Sequence, residues 1–279
     1  MLRIGMIVGA LISMSAGAHG QSSEQPLLVA QSNDPFLSLV GKRRERRADR
    51  MTRVTIERYV LASDDRAFLF QEKPGEARVK FLCAESDERI DCRLDKEGPA
   101  PEIYLLTPTR GPRGDRIYKD AAGETMLRIA SYGGATVYWP GSYDGLAASK
   151  SFGDDAALTL PEADYAVAER RAKAATAILS AATGSPIIFD IGEASEEGAV
   201  ASVLADAVMR AAKGLNGVAK DATGARIVAD RIETVAFING EGPSIELNAK
   251  TLEVRYAPDQ DIAGRPSSAA ISRFLEETL

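Results

Sequence analysis

The stretch IYKDAAGETMLRIASYGGATVYWP, residues 117–140, decides how the chain is read. Ile117-Tyr118 and Met126–Ile129 are short apolar runs flanking Asp120-Ala-Ala-Gly-Glu124, which has the composition of a hairpin turn. Thr136–Trp139 is a third run and stops at Pro140, which cannot donate to a sheet ladder. The rhythm continues upstream. Val54, Ile56 and Val60 include alternating apolar positions, Ala67–Phe70 is a short apolar run, and Val79, Phe81 and Cys83 alternate with their neighbours. Ile103–Leu106 is a further run, closed by Pro108. Strands therefore recur roughly every 10–14 residues, with Gly, Pro or Asp between them. Tight turns favour antiparallel pairing. Residues 53–150 are expected to form an antiparallel β zone, a meander curled into a small barrel or packed as a sandwich.

Downstream, from residue 151 to 279, the pattern becomes α+β, and from Pro161 the period is helical. Pro161, Glu162 and Asp164 start a helix that Gly184 ends. Ile187–Ile191 is a short strand. Ser195 caps a second helix, with Glu196 and Glu197 in its first turn. In this helix Val200, Val203, Leu204, Ala207, Val208 and Ala211 fall on one face, and Lys213-Gly214 reads as its stop. A short helix is predicted near 225–231. Thr234–Ile238, Ile245–Leu247 and Leu252–Tyr256 read as three strands, with turns at Asn239-Gly240 and Asn248-Ala249, and a last helix spans about Ser267–Leu279. The fold class is α+β, a β meander followed by helices packed on a small sheet.

The first residues have another purpose. Arg3, the uncharged apolar run Ile4–Ala18 and the small-residue site Ala16-Gly17-Ala18 make residues 1–18 a secretory signal peptide. No cysteine follows it and no twin arginine precedes it. A periplasmic address is expected. Residues 19–52 form a basic N-terminal arm, partly helical, with Asp34 as N-cap, Pro35 at the first helical position and Phe36, Leu39 and Val40 on one face. Arg43, Arg44, Arg46 and Arg47 in this arm suit an anionic lipid surface or another acidic partner. The chain has a net charge of −6, and most of the acid lies beyond the arm. Nucleic acid is therefore not an expected partner. Cys83 and Cys92 enclose a short charged loop and are expected to form a disulfide in an oxidising compartment. Closing so short a loop contributes roughly 2–3 kcal/mol.

Several chemistries are excluded by residue type. There is one histidine in 279 residues, His19, beside the expected cut. Triads with a histidine base and histidine-ligated metals have no place in the body. The phosphate-binding, dinucleotide, zinc-protease and nucleophile-elbow motifs are absent. Asp259-Gln-Asp261 begins like a calcium loop but has Ala270 where a bidentate Glu is required. No cofactor and no metal are expected, and no catalytic residue is assigned. Carboxylates remain, and two of them suffice for glycan hydrolysis. The densest acidic set near a strand-to-helix junction is Asp190, Glu193, Glu196 and Glu197.

One local feature departs from composition. Tyr132, Tyr138, Trp139 and Tyr143 crowd four aromatics into fourteen positions, among Gly133, Gly134, Gly141 and Gly145. Strand alternation puts Tyr138 and Trp139 on opposite faces, so one is core. The other, with Tyr143 and Asp144, makes an aromatic platform beside a carboxylate, a pairing suited to sugar rings or cationic groups.

The leader, the run Arg116-Ile-Tyr-Lys-Asp120, the stretch Tyr132–Gly141 and the helix segment Leu204-Ala-Asp-Ala-Val208 resemble exported alphaproteobacterial proteins grouped as a domain of unknown function. The resemblance implies an envelope address and no activity. The expected function is that of a non-catalytic binding or scaffold module of the bacterial envelope. Two alternatives stand beside it: a carboxylate-dependent hydrolase of a cell-wall glycan, and a protein held to the membrane surface by the basic arm. Oligomeric state is not legible.

Overall fold

Eight strands follow one another around a ring: β1 (Thr55–Leu61), β2 (Ala67–Lys73), β3 (Glu76–Phe81), β4 (Ile103–Arg110), β5 (Arg116–Lys119), β6 (Thr125–Ile129), β7 (Ala135–Tyr138) and β8 (Gly145–Ser151). Each pairs antiparallel with the next, and β8 returns to β1 with Tyr59 opposite Lys150 and Leu61 opposite Ala148. The β zone is thus a closed up-and-down barrel, not a sandwich. The computed structural model describes residues 55–279 without 86, 96–97, 154 and 194–197, and gives the backbone alone for 198–200. The expected signal peptide, the arm with Arg43, Arg44, Arg46 and Arg47, and the helix start at Ser195 lie outside these residues.

The alternation that marks the strands fills the barrel. Phe68, Phe70, Val79, Phe81, Tyr118, Leu127 and Val137 point inward and are almost fully buried. An eight-stranded barrel is just wide enough for side chains to fill, and each such residue contributes about 1.5–3 kcal/mol by leaving water. Aromatic rings meet edge-on across the interior, Phe70 with Tyr118 at 4.8 Å and Phe81 with Trp139 at 4.7 Å between centroids.

The barrel has two ends. At the entry end the chain enters β1, turns between β2 and β3, β4 and β5, and β6 and β7, and leaves β8. At the far end lie the remaining connections, including the disulfide loop and the Trp139–Asp144 turn.

Outside the barrel stands a second assembly. Helices α1 (Ile90–Arg93), α2 (Tyr165–Thr183), α3 (Gly198–Val218), α4 (Ala222–Arg231) and α5 (Ser268–Thr278) accompany a sheet of β9 (Ile188–Asp190), β10 (Thr234–Asn239), β11 (Ser244–Asn248) and β12 (Thr251–Tyr256). The sheet order is β11-β12-β10-β9. Residues 53–279 form one compact unit. Leu158 and Ile262 pack with Leu69 and Ile103 on the outer wall of the barrel. Arg78 fastens this seam, donating to the Leu158 carbonyl at 2.7 Å and pairing with Asp261 at 3.1 Å. Asp261, one of the calcium-like acids, also accepts from the Leu160 N–H.

The structure departs from the sequence reading or adds to it in five places. Strand β4 runs through Pro108 to Arg110. Its neighbour β3 ends its pairing at Ala77 opposite Leu106, so Pro108 sits where one side of β4 is unpaired and a missing N–H is tolerated. Strand β8, which closes the barrel, has no counterpart in the predicted strands. Its sequence GLAASKS has no β-branched or aromatic residue to announce it. The first long helix starts later than Pro161, at the N-cap Asp164, whose carboxylate accepts from the Val167 N–H at 2.9 Å. Helix α3 does not stop at Gly214. A Cβ there would meet Ile271 Cγ2 at 2.7 Å, so this glycine lets α5 approach closely instead of ending α3. Finally, the Asn239-Gly240 turn joins no hairpin, because β12 lies between β10 and β11 and runs parallel to β10.

Candidate binding groove and the charged networks

The β7–β8 connection builds the groove. Trp139-Pro-Gly-Ser142 is a tight turn closed by the Ser142 N–H on the Trp139 carbonyl at 2.8 Å. Gly141 takes φ 85°, the left-handed conformation that a Pro-Gly turn requires at this position. The turn throws the next residue outward, and Tyr143 is 97% exposed. Opposite stands α5. Between them is a groove of about 610 Å³ lined by Tyr138, Tyr143, Glu124 and Glu276 together with the edge of Trp139. That volume is in the range of small-molecule sites. Arg273 spans the floor and donates to the Ala122 carbonyl, fixing α5 to the β5–β6 turn.

The four residues singled out in the sequence divide. Tyr138 and Tyr143 line the groove. Asp144 is exposed beside it, its N–H donating to Ser142 Oγ at 3.2 Å. Trp139 is the inward member of the Tyr138–Trp139 pair, only 6% exposed. The guanidinium carbons of Arg66 and Arg89 lie 4.9 and 5.4 Å from its ring centroid. Asp64 and Asp87 hold those arginines at 2.8 and 2.6 Å. The ring is capped by two cation–π contacts and serves mainly as the plug of the far end.

Of the acidic set near β9, Asp190 accepts from the Gly192 N–H at 2.9 Å and shapes a turn. Glu193 is exposed, and Glu196 and Glu197 lie outside the described residues. Cys83 and Cys92 form the expected disulfide. With Asp87 they make a close trio, but bonded sulfurs offer no thiolate to a metal.

Two charged networks were not foreseen. One lies where β4, α1, α3 and α5 meet. Asp91, Glu102, Asp206, Arg210 and Arg265 are buried there, with Lys213 at the edge. Lys213 Nζ reaches Asp91 at 2.7 Å and Glu102 at 3.3 Å, and donates to the Tyr104 hydroxyl at 2.7 Å. Arg210 pairs with Asp206 at 3.1 Å and donates to the Ala100 carbonyl at 2.7 Å. Arg265 pairs with Asp206 at 2.6 Å. Glu102 accepts from the Ser268 N–H at 3.0 Å and from its hydroxyl. Burial pushes the Asp91 and Glu102 carboxyls up, but Lys213 and Arg210 outweigh it. Asp91 is held below the usual carboxylate range and Glu102 falls to about 2. Burial likewise opposes the charge on Lys213, and its anionic neighbours more than restore it. Burial lifts the Tyr104 hydroxyl to about 12. Asp91 and Glu102 are ionised, Lys213 is protonated and Tyr104 is neutral. None of these four is poised near neutrality, as acid–base catalysis needs. The network joins elements.

The second network fills the entry end of the barrel. Tyr59 donates to Glu57 at 2.8 Å and Tyr118 to Glu72 at 3.0 Å. Lys150 pairs with Glu57 at 2.5 Å, and Arg116 pairs with Glu72. Burial and the adjoining carboxylates push both phenols well up, so these groups are neutral donors. The single legible sign was that Glu57, Glu72, Arg116 and Lys150 continue the inward-facing alternation of their strands.

Fold and groove together define a class: an up-and-down β-barrel joined to an α/β layer, with an open aromatic groove at one barrel end. Within it, the chain belongs to the family described as Domain of unknown function (DUF4908), whose model matches residues 36–275. No curated protein and no solved structure matches the chain.

Proposed function

We propose that this chain is an exported protein of the bacterial envelope that binds a wall glycan without cleaving it, through the groove between the Trp139–Asp144 turn and α5. The observation that carries the reading is Tyr143: a fully presented ring beside Tyr138, with Glu124 and Glu276 on the same groove. Aromatic faces stack on the apolar faces of sugar rings, and carboxylates accept from their hydroxyls. Residues 1–18 have the composition of a signal peptide, and the Cys83–Cys92 disulfide is compatible with an oxidising compartment. No helix among the described residues is long and apolar enough to cross a membrane.

Co-sedimentation with purified peptidoglycan sacculi tests this. The expected result is saturable pelleting that Tyr143→Ala reduces by about tenfold, the order of one lost stacking contact with its hydrogen bond. Equal pelleting of the two proteins removes the groove from the account. Release of soluble sugar that Glu276→Gln abolishes would replace binding by hydrolysis.

A further inference from the structure

The barrel is polarised end to end. At the entry end, the acids are matched: Glu57 with Lys150, Glu72 with Arg116, Glu76 with Arg78, Asp115 with Arg128 and Asp155 with Arg58. Three cations remain there in no ion pair among the described residues. Lys73 closes β2, Arg110 closes β4 and Arg113 stands on the β4–β5 connection. The same rim presents two of the most exposed aromatic rings, Tyr132 on the β6–β7 turn at 88% and Phe152 after β8 at 101%. At the far end unpaired acids predominate, among them Asp65, Glu88, Glu124 and Asp144, with Lys119 at the close of β5 as an unpaired cation beside them.

Exposed aromatics interleaved with unpaired cations are the composition of a surface that settles into a lipid headgroup layer. The rings partition into the interface, and each cation adds attraction to anionic headgroups. The chain outside the described residues adds to this. Its basic run Lys42–Arg53 ends two residues before Thr55, the first residue of β1.

We propose that the entry end of the barrel is a docking surface for anionic lipid headgroups, seated by Tyr132 and Phe152 and held by Lys73, Arg110 and Arg113. The proposal does not rest on the glycan reading. Its occupant is a bilayer surface and not an acidic protein, because exposed rings on two separate connections, set among cations, suit a deformable anionic layer.

The test measures the chain's affinity for vesicles of phosphatidylglycerol with phosphatidylcholine, relative to phosphatidylcholine alone. An apolar leader, where retained, partitions into both and cancels in this ratio. Three variants are compared: Lys73→Ser with Arg110→Ser and Arg113→Ser; Tyr132→Ser with Phe152→Ser; and Arg43, Arg44, Arg46 and Arg47 all →Ser. The first is expected to lower the ratio at least about tenfold. The second is expected to weaken binding to the anionic vesicles severalfold, with melting curves nearly unchanged in both because these side chains are exposed or, for Lys73, half-buried at a strand end. The arm variant is expected to lower the ratio without abolishing it. A ratio untouched by both rim variants, or abolished by the arm variant alone, overturns the proposal.

Discussion

Trp139 and Tyr143 lie four residues apart and do opposite things. Trp139 is pinned between Phe81, Arg66 and Arg89 inside the barrel end. Trp139→Ala is expected to cost about 3–5 kcal/mol, the usual range for truncating a buried large aromatic, and to lower Tm by about 10 °C. Calorimetry checks it, and a melting point within a degree of the parent would show that the ring is not a plug. Tyr143→Ala removes a ring that touches water, so its expected cost is within about 0.5 kcal/mol. The aromatic crowding of residues 132–145 was plain in the sequence, as was the opposition of Tyr138 and Trp139. Which of the two faces inward depends on the register of β7 between β6 and β8, with Val137 opposite Leu127 and Leu146. That register is closed by a strand whose own sequence carries no strand signal.

At the level of elements, α3 explains what the sequence concealed. Its apolar face was legible from Val203, Leu204, Ala207, Val208 and Ala211. Asp206, Arg210 and Lys213 form a second stripe at i, i+4 and i+7, which by itself reads as a wet face. The barrel and α5 cover that stripe, so it becomes the buried network. Helix spacing was the available signal; the covering layer is a tertiary fact that no local pattern holds. Removing one partner leaves the others buried and unmatched. Arg210→Met is therefore expected to cost about 3–5 kcal/mol, read as a drop in the urea midpoint. A midpoint equal to the parent's would mean that the carboxylates around it are not ionised.

The network also sets a pH dependence. Glu102 and Asp91 have carboxyls depressed in the folded chain. Their contribution is complete above the ordinary carboxylate range, about 4.5 for Glu102, and is lost as pH falls from there towards about 2. Urea midpoints are expected to be similar at about pH 7 and pH 5 and markedly lower at about pH 3. The disulfide bears on the same place, because Cys92 follows Asp91 on the four-residue α1. Replacing both cysteines by serine should cost about 2–3 kcal/mol through loop entropy. It should also free α1, seen as faster amide exchange at residues 90–94 than in the rest of the unit. Uniform exchange across the unit would contradict that local role.

Across the whole molecule, the arrangement is one of opposed ends. The meander itself was readable from its turn residues, and closure into a barrel was one of two readings they allowed. What the strand pattern did not carry is that alternate connections gather at alternate ends. An up-and-down topology sorts them automatically, so Tyr132, Phe152 and three unpaired cations share one rim, while most of the unpaired acids, Tyr143 and the groove share the other. In the proposed envelope setting, a lipid-facing entry end directs the groove away from the bilayer and towards the wall.

The chain's single tryptophan provides the most direct measurement. Its edge forms part of the groove, so occupancy there changes its surroundings without any added label. Titration with soluble peptidoglycan fragments is predicted to give a saturable change in Trp139 emission in the parent and, in Tyr143→Ala, a curve shifted about tenfold to higher concentration, with the two proteins melting alike. Emission that stays constant in the parent, or the same saturation curve in both, would contradict a glycan site in this groove.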